Sequence, residues 1–461
     1  METFKTITPI DNSVYVEMPY HDKKDIQECL EKATKAQKEW QETPLKTRKE
    51  YIKNFIEALG GKCEEIAKEL AYQMGRPIAY GALEIRGFKE RANYMLDIVD
   101  DALKPFYPEP KKGFERYIVK EPLGVVAVLS PWNYPFLTSV NVIVPALLAG
   151  NSVILRHSTQ TPLVAKRYEE AFKEVGLPEG VFSILYLKHS DASNFMADKR
   201  VKGVYFTGSV KGGHEVQKAI LNKFIPCGLE LGGKDPAYVR EDADINFSAE
   251  NLVDGSFFNS GQSCCGIERI YVHEKVYDEF VDRFVTITKE YKLGNPLEKS
   301  TTIGPMVKTQ AADFVRDQIK EALQKGAKAL TEESMFENSK EHTPYLGPTV
   351  LVDVDHSMSV MRDESFGPVV GIMKVKDDEE ALRLMNDSDY GLTASIWTKD
   401  KEKARELSSK IETGTVYMNR CDYLDPTLAW TGVKDTGRGV TLSKYGYDHV
   451  TRVKSIHFKE I

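Results

Sequence analysis

Apolar positions spaced three or four residues apart predict helices over most of the first hundred residues. The predicted helices cover residues 24–60, 63–73 and 79–103. A Gly-Arg-Pro sequence at 75–77 marks a break before the last of them. Residues 104–113 are rich in Lys, Pro and Gly, and they are predicted to connect this helical part to the segment that follows.

Beyond the connector, short apolar runs alternate with amphipathic stretches. Strand-like runs lie at 125–129, 153–155, 181–185 and 204–206, and helical patterns lie at 137–149, 162–175 and 211–223. This alternation predicts βαβ units in a parallel sheet, and such sheets bind ligands at the carboxyl ends of their strands. A second alternating run extends from about Glu230 to Asn419, so the predicted fold class is α/β. The tail, Thr451–Lys459, is predicted to be extended and able to join another sheet edge.

Length and composition narrow the class of protein. A chain of 461 residues is longer than one hydrophobic core supports, so two or three domains are expected. The formal charge of −7 argues against nucleic acid or an anionic membrane as a partner. Six cysteines in so long a chain do not indicate a disulfide framework, and the first residues lack the apolar core of a signal peptide, so a cytoplasmic protein is expected. The nine histidines lack metal-ligand spacing, and no metal site is expected.

Two adjacent cysteines, Cys264 and Cys265, lie within the sequence Phe-Phe-Asn-Ser-Gly-Gln-Ser-Cys-Cys-Gly. Their small neighbours, such as Ser263 and Gly266, leave the sulfur atoms open to a ligand. A thiolate is a strong nucleophile, and its pKa controls its reactivity. The alternative is a buried pair that packs as small apolar groups, and this segment alone does not decide between the two.

Three other segments carry candidate chemistry. Glu230 opens the sequence Glu-Leu-Gly-Gly-Lys, and its carboxylate suits a base that activates water or a thiol, although Leu-Gly-Gly is also an ordinary turn. Phe206-Thr-Gly-Ser209 ends a predicted strand and opens a helix, which suits a phosphate, but the Gly-x-Gly-x-x-Gly fingerprint is absent. Asn133 follows the first strand of the alternating run, where its side-chain N–H could meet a developing oxyanion.

Taken together, these segments resemble the NAD(P)-dependent aldehyde dehydrogenase superfamily over residues 20–459. The segments that carry the resemblance are, in chain order, Asn133, Gly208-Ser209, Glu230, Cys264 and Glu364-Ser-Phe-Gly-Pro368. The resemblance implies that Cys264 attacks an aldehyde carbonyl while Asn133 and the Cys264 backbone N–H hold the oxyanion. Hydride then leaves for the nicotinamide of NAD or NADP, and Glu230 activates the water that hydrolyses the thioester. Covalent catalysis of this kind divides one difficult step into two easier ones.

The resemblance also implies contacts for the cofactor and the substrate. The cofactor contacts would be Trp132, Arg156, Ser158, Thr159, Gly208, Ser209, Leu231, Glu364 and Phe366. The substrate pocket would include Tyr134, Leu137, Phe258, Tyr423 and Trp430. Because four of these five side chains are aromatic, an apolar, aromatic or medium-chain aldehyde is expected. A succinate-semialdehyde-type enzyme is the alternative, with Arg420 or Arg269 as the cation.

The family's architecture divides the chain into three parts. The resemblance implies a Rossmann-type cofactor domain from residues 1–113 and 122–229, and an α/β catalytic domain from residues 230–442. Residues 114–121 and 443–461 would form a β arm that pairs across a homodimer or homotetramer. We therefore expect a small-molecule aldehyde substrate and a second copy of the chain as partners.

The sequence departs from the family pattern in two places. Where relatives often have a Lys followed three positions later by a Glu, this chain has Arg156 and Thr159. A guanidinium and a hydroxyl do not repel a 2′-phosphate, so NADP use is predicted alongside NAD. Two positions linked to proton relay in many relatives are Val142 and Thr441 here, which predicts a simpler water path for Glu230.

Two other function classes fit the residues less well. A cofactor-independent thiol esterase would use Cys264 but would leave Glu364 and the segment at Phe206–Ser209 without a role. A non-catalytic binding protein would not require Cys264, Glu230 and Asn133 together.

Overall fold

Apolar runs form the central strands of two parallel sheets, since such strands are buried on both faces. In the computed structural model, which describes residues 2–461, every residue of Val125–Ser130 is buried. The strands are β1 (Thr3–Ile7), β2 (Val14–Pro19), β3 (Phe114–Pro122), β4 (Val125–Ser130), β5 (Ser152–His157), β6 (Phe182–Ile184), β7 (Val201–Thr207), β8 (Cys227–Glu230), β9 (Asp235–Val239), β10 (Ile267–His273), β11 (Lys328–Ala329), β12 (Thr349–Val352), β13 (Val369–Val375), β14 (Tyr390–Gly391), β15 (Thr393–Trp397), β16 (Thr415–Met418), β17 (Val433–Lys434), β18 (Gly437–Arg438) and β19 (Thr451–Lys459).

The helices pack on the faces of these sheets. They are α1 (Lys23–Glu42), α2 (Leu45–Gly60), α3 (Cys63–Met74), α4 (Ile78–Leu103), α5 (Pro135–Leu148), α6 (Pro162–Glu174), α7 (His189–Ala197), α8 (Val210–Ala219), α9 (Ile245–Phe257), α10 (Tyr277–Thr288), α11 (Thr309–Gln324), α12 (Ser359–Arg362), α13 (Asp378–Asn386), α14 (Lys401–Ser408) and α15 (Tyr445–His449). Short 3₁₀ turns lie at Phe258–Gly261, Glu274–Val276 and Glu333–Met335. Among residues 2–461, no helix is both long and apolar enough to cross a membrane.

The first sheet has six strands in the order β18-β8-β7-β4-β5-β6. Its strands run parallel except for β18, which pairs antiparallel with β8. The carboxyl ends of β4, β5, β7 and β8 therefore lie along one edge, where an α/β sheet binds its ligands. The predicted βαβ alternation is confirmed in this sheet.

The second sheet has seven strands in the order β11-β12-β13-β10-β9-β15-β16, and only β11 runs antiparallel to its neighbour. All of its strands, including the short edge strand β11, come from residues 235–418. Strand β18 follows residue 418 in the chain but belongs to the first sheet, where Gly437 pairs with Glu230 of β8. The domain boundaries themselves stay a prediction.

The extended tail forms a long two-stranded ladder. β19 pairs antiparallel with β3 from Thr451 opposite Pro122 to Lys459 opposite Phe114. The prediction that the tail is extended is confirmed, and its partner here is a strand of the same chain. Pairing of this ladder across an oligomer stays a prediction.

Several local expectations were wrong or incomplete. The single helix predicted over residues 24–60 is two helices, α1 and α2, because Pro44 cannot donate to a helical ladder and disfavours helical geometry at Thr43. The hairpin β1–β2, helices α7 and α9 and strand β9 were not predicted. The hairpin is short and mostly exposed, so its sequence lacks a strong apolar alternation.

Candidate active site

A cavity of about 290 Å³ lies between the carboxyl ends of β7 and β8, helices α4 and α5, and the loop before β10. Cys264 and Glu230 both line it. The five residues predicted for the substrate pocket also line it: Tyr134, Leu137, Phe258, Tyr423 and Trp430. The fold therefore brings the predicted nucleophile, base and substrate contacts into one space, although they are far apart in sequence.

The backbone before the cysteines is held in an unusual conformation. Asn259, Ser260 and Gly261 have φ angles of 53°, 58° and 68°. Non-glycine residues in this left-handed region cost on the order of 1–3 kcal/mol each, and such strain is concentrated at functional sites. A Cβ atom on Gly261 would lie 2.3 Å from the Gly367 carbonyl oxygen, so this position requires glycine.

Buried side chains hold this strained loop in place. Arg76 Nε donates to Asn259 Oδ1 at 3.2 Å, and Arg76 Nη2 donates to the Asn133 carbonyl at 2.5 Å. Arg76 also pairs with the buried Glu84, whose carboxylate accepts the Phe136 N–H at the start of α5 at 2.9 Å. One buried ion pair thus fixes the cysteine loop against the first turn of α5.

Two N–H groups near Cys264 are placed to meet a developing negative charge. The buried Asn133 donates one amide hydrogen to the Gln262 carbonyl at 3.2 Å, which leaves its second amide hydrogen unused. The Cys264 backbone N–H has no acceptor among residues 2–461. A Cβ atom on Gly233 would lie 2.1 Å from the Cys264 carbonyl oxygen, so a glycine is needed for the loop to approach this closely.

The neighbouring thiol has a different environment. Cys265 is buried, and its Sγ donates to Asp422 Oδ1 at 3.0 Å. Ser263 Oγ donates to the same oxygen at 2.9 Å. The pKa of the Cys265 thiol is raised by its contact with Cys264 and by burial. Cys265 is therefore held as a protonated donor. Both thiols line the cavity, and Cys264 is the less buried of the two.

Glu230 is the last residue of β8, and two threonine hydroxyls bind its carboxylate. Thr441 Oγ1 donates to Oε1 at 2.6 Å, and Thr207 Oγ1 donates to Oε2 at 3.3 Å. Burial raises the pKa of Glu230, and both hydrogen bonds oppose that rise. A carboxylate with a raised pKa is a stronger base, which suits the activation of water near neutral pH.

A second cavity of about 260 Å³ lies on the other side of the cysteine loop. Trp132, Glu364 and Phe366 line it, and the Trp132 and Phe366 rings meet edge to face at 5.7 Å. Glu364 accepts the Gly233 N–H at 3.0 Å, while burial raises its pKa to about 7. Three of the predicted cofactor contacts therefore share one space next to the cysteine loop.

The remaining predicted cofactor contacts lie at strand ends of the first sheet. Arg156, Ser158 and Thr159 lie at the end of β5 or just beyond it, and Arg156 Nη2 donates to the Leu187 carbonyl at 3.4 Å. Arg156 Nε is buried without a protein partner. Gly208 precedes Ser209, which caps α8 by accepting the Gly212 N–H at 3.2 Å, and Leu231 is buried beside α8.

Several residues of the site were missed by sequence reasoning. The first cavity, which holds Cys264 and Glu230, is also lined by Arg76, Glu84, Arg91, Asp254 and Asp422. A signal was present for two of them, since Glu84 and Arg91 occupy the apolar face of α4 together with Ile85, Phe88 and Ala92. Charged residues at such positions are rarely buried without a partner.

One expected cation lies elsewhere. Arg269 is buried, and its guanidinium donates to the carbonyl oxygens of Lys234, Leu384 and Met385. It therefore forms hydrogen bonds in the interior around the second sheet and does not line the substrate cavity. Arg420 stacks over the Tyr423 ring, with its Cζ 3.6 Å from the ring centroid. In the part of the chain that the structure describes, no group of three or more His, Cys, Asp or Glu side chains could hold a metal ion.

Comparison with known proteins gives a consistent result. Residues 1–456 match the sequence model of the aldehyde dehydrogenase family. The chain is 31% identical to the succinate semialdehyde dehydrogenase [NAD(P)+] Sad of Escherichia coli strain K12, over 98% of this chain and 99% of that protein. It is 33% identical to an aldehyde dehydrogenase of Paenarthrobacter nicotinovorans, with 98% of each chain covered. The solved structure of succinic semialdehyde dehydrogenase from Streptococcus pyogenes with NADP+ superposes with a TM-score of 0.94 at 30% identity, over 99% of this chain and 100% of that one.

Proposed function

The chain belongs to the aldehyde dehydrogenase family, and we propose that it oxidises an aldehyde to the carboxylic acid through a thioester on Cys264. The observation that supports this most strongly is the shared cavity, which holds a partly buried thiol and a carboxylate of raised pKa within aromatic walls. The resemblance noted in the sequence had assigned the same two residues.

The first half of the reaction uses the groups around the strained loop. The Cys264 sulfur attacks the aldehyde carbon, and the carbonyl oxygen takes on negative charge. The free hydrogen of the Asn133 amide and the Cys264 backbone N–H stabilise that charge, because both are fixed before the substrate arrives. When bound, the nicotinamide supplies the acceptor for the hydride that leaves this carbon.

The second half uses Glu230. Its carboxylate takes a proton from a water molecule, whose oxygen attacks the thioester carbon. The carbon–sulfur bond then breaks, the carboxylic acid forms and the Cys264 thiolate is restored. Hydrolysis of the thioester needs a base to activate water. Glu230 is a buried base in the same cavity as Cys264.

NAD or NADP fits the second cavity and the adjacent strand ends. Glu364 offers a carboxylate to the nicotinamide ribose, and Trp132 and Phe366 offer aromatic walls. Ser209 and the first turn of α8 suit the pyrophosphate, as helix N-termini suit anions. Arg156 has a buried Nε without a protein partner, which suits an adenosine ribose or its 2′-phosphate. One relative is named as an NAD(P)+ enzyme and another was solved with NADP+, which supports the same choice.

The walls of the substrate cavity favour an apolar, aromatic or medium-chain aldehyde. Tyr134, Phe258, Tyr423 and Trp430 supply most of its aromatic surface. Succinate semialdehyde is the second candidate, because the guanidinium-bearing Arg86 of α4 lines the cavity. Two relatives are named for that substrate.

The assembly and location complete the proposal. The β3–β19 ladder suits pairing across a homodimer or homotetramer, because the outer edge of β19 is open and its side chains Val453 and Phe458 are exposed. We place the enzyme in the cytoplasm on the composition and the free cysteines.

The test is the formation of reduced cofactor at 340 nm with a panel of aldehydes and with NAD and NADP in parallel. We expect activity in the wild type and in the Cys265→Ala variant, and none in the Cys264→Ala variant. Cys265 is the matched control because it is an adjacent thiol in the same cavity whose hydrogen is donated to Asp422. Activity that survives in Cys264→Ala would refute the assignment of the nucleophile.

A further inference from the structure

A buried ion pair lies beside the cofactor loop, the segment Glu364–Phe366 between α12 and β13. Lys234 and Glu268 form this pair, with Nζ 2.5 Å from Oε2 and with both side chains at most 5% exposed. From its contacts we propose that Glu268, with Lys234 as its counter-ion, is the positioning residue that holds the cofactor loop in the shape that binds the nicotinamide half of NAD(P). The inference rests on the proposed function, because Glu364 and Phe366 act there as cofactor contacts.

The two side chains of the pair bind three groups of the cofactor loop. The Ser365 N–H donates to Glu268 Oε2 at 2.8 Å, and the Phe366 N–H donates to Glu268 Oε1 at 2.9 Å. Lys234 Nζ donates to the Ser365 hydroxyl at 3.1 Å in addition to its bond with Glu268. Because one partner in each bond is charged, these hydrogen bonds are stronger than neutral ones.

The cofactor loop needs such support because its backbone is strained. Phe366 has a φ angle of 49°, in the left-handed region that a bulky side chain rarely adopts. Its N–H is the group that Glu268 Oε1 accepts, so a charged hydrogen bond is made at the strained residue itself. At the other end of the loop, Glu364 Oε1 accepts the Gly233 N–H at 3.0 Å, and a Cβ atom on Gly232 would lie 2.4 Å from Glu364 Oε2. Without the Glu268 contacts, Phe366 is free to relax and to move the Glu364 carboxylate with it.

The partners of the pair set it apart from other buried groups of the second sheet. The cost of taking two charges out of water can exceed their attraction, and apolar residues of similar volume often replace such pairs without loss of stability. Asp235, the first residue of the adjacent strand β9, is also buried, but its carboxyl group binds the N–H and hydroxyl of Thr393 within the sheet. Glu268 instead binds a loop whose three residues line the cavity of about 260 Å³ assigned to the cofactor. Glu268 does not line that cavity itself, so it acts through the loop.

The test compares the two halves of the cofactor in Glu268→Gln. Dissociation constants of NAD+ and NADP+, and of ADP and 2′-phospho-ADP, which lack the nicotinamide half, are measured by titration calorimetry on the purified enzyme. Glutamine keeps the size of the side chain but removes its charge and offers one acceptor oxygen to the two N–H groups. We expect the affinity for NAD(P)+ to fall about tenfold or more. The affinity for the adenosine half should stay within about twofold, because the loop lies at the other end of the cofactor.

Two further variants separate positioning from folding. The double variant Lys234→Met with Glu268→Gln leaves no unpaired buried charge, so it should have a higher Tm than Glu268→Gln alone and yet bind NAD(P)+ as weakly. Asp235→Asn is the matched control, because it changes a buried carboxyl group on the neighbouring strand that binds Thr393 instead of the loop. Its affinity for NAD(P)+ should match that of the wild type.

Wild-type affinity for NAD(P)+ in Glu268→Gln, or its recovery in the double variant, would overturn the inference and leave the proposed function standing. An equal loss of NAD(P)+ and ADP binding, or the same loss in Asp235→Asn, would indicate a general structural role and would also overturn it. A wild type that binds neither NAD+ nor NADP+ would refute the proposed function, and this inference with it.

Discussion

Replacing Thr441 with Val tests how the protein sets the basicity of Glu230. Valine has nearly the shape of threonine but cannot donate the 2.6 Å hydrogen bond to Glu230 Oε1. That bond favours the ionised carboxylate, so its loss raises the pKa of Glu230 further. Because the base acts only when ionised, the acid limb of the pH profile moves to higher pH.

The size of the effect follows from the bond. A hydrogen bond to a charged group is worth about 1.5–3 kcal/mol. At any one pH below the midpoint, its loss lowers the ratio of carboxylate to carboxylic acid by about 10- to 150-fold. The longer contact from Thr207, at 3.3 Å, predicts a smaller change in Thr207→Val.

The assay is the first-order rate constant of thioester decay, measured from pH 5 to 9 in both variants and the wild type. In Thr441→Val the limb should move up most. An acid limb that stays in place in Thr441→Val, or that moves equally in Thr207→Val, would refute the account of Glu230 given above.

Three further outcomes are expected. Glu230→Gln should form one equivalent of reduced cofactor and then accumulate thioester on Cys264, seen by intact mass; unchanged steady-state turnover would remove Glu230 from the mechanism. Gly233→Ala should lower kcat/KM by about tenfold or more, because its Cβ would lie 2.1 Å from the Cys264 carbonyl oxygen, whereas Gly61→Ala should not, since its nearest neighbour is 3.5 Å away; equal effects would contradict this. The Arg156 side chain should allow NADP use beside NAD, and a preference for NAD in kcat/KM above about a thousandfold would be inconsistent with it.

Local patterns in the sequence were sufficient for the elements that carry the site. Apolar runs marked β4, β5 and β7, and the polar residues just after them lie at the sheet edge where ligands bind. The order and spacing of the motifs also led to the prediction that Cys264 and Glu230 act in one reaction, and both residues line the same cavity in the structure.

What the sequence did not reveal depends on contacts between distant segments. Arg76 lies within a predicted helix break and carried no local sign that it would bind Asn259 and Glu84. The role of Asp422 required the loop after β16 to fold over Cys265, a contact across 157 residues. The position of the Arg269 side chain could not be predicted for a related reason. Side chains on a strand alternate between the two faces of the sheet, and the Arg269 guanidinium donates to the Lys234 carbonyl in the interior.

The left-handed turn at Asn259–Gly261 also bears on how this enzyme can be made more stable. Glycine at position 259 would relieve backbone strain, and a stability screen would favour it. The same change would delete the amide that receives Arg76 and donates to the Gln262 carbonyl at 3.3 Å. Any gain in thermal stability at this turn would therefore come with poorer alignment of the Cys264 thiol. Stabilising substitutions are better placed on surfaces remote from α4 and the cysteine loop.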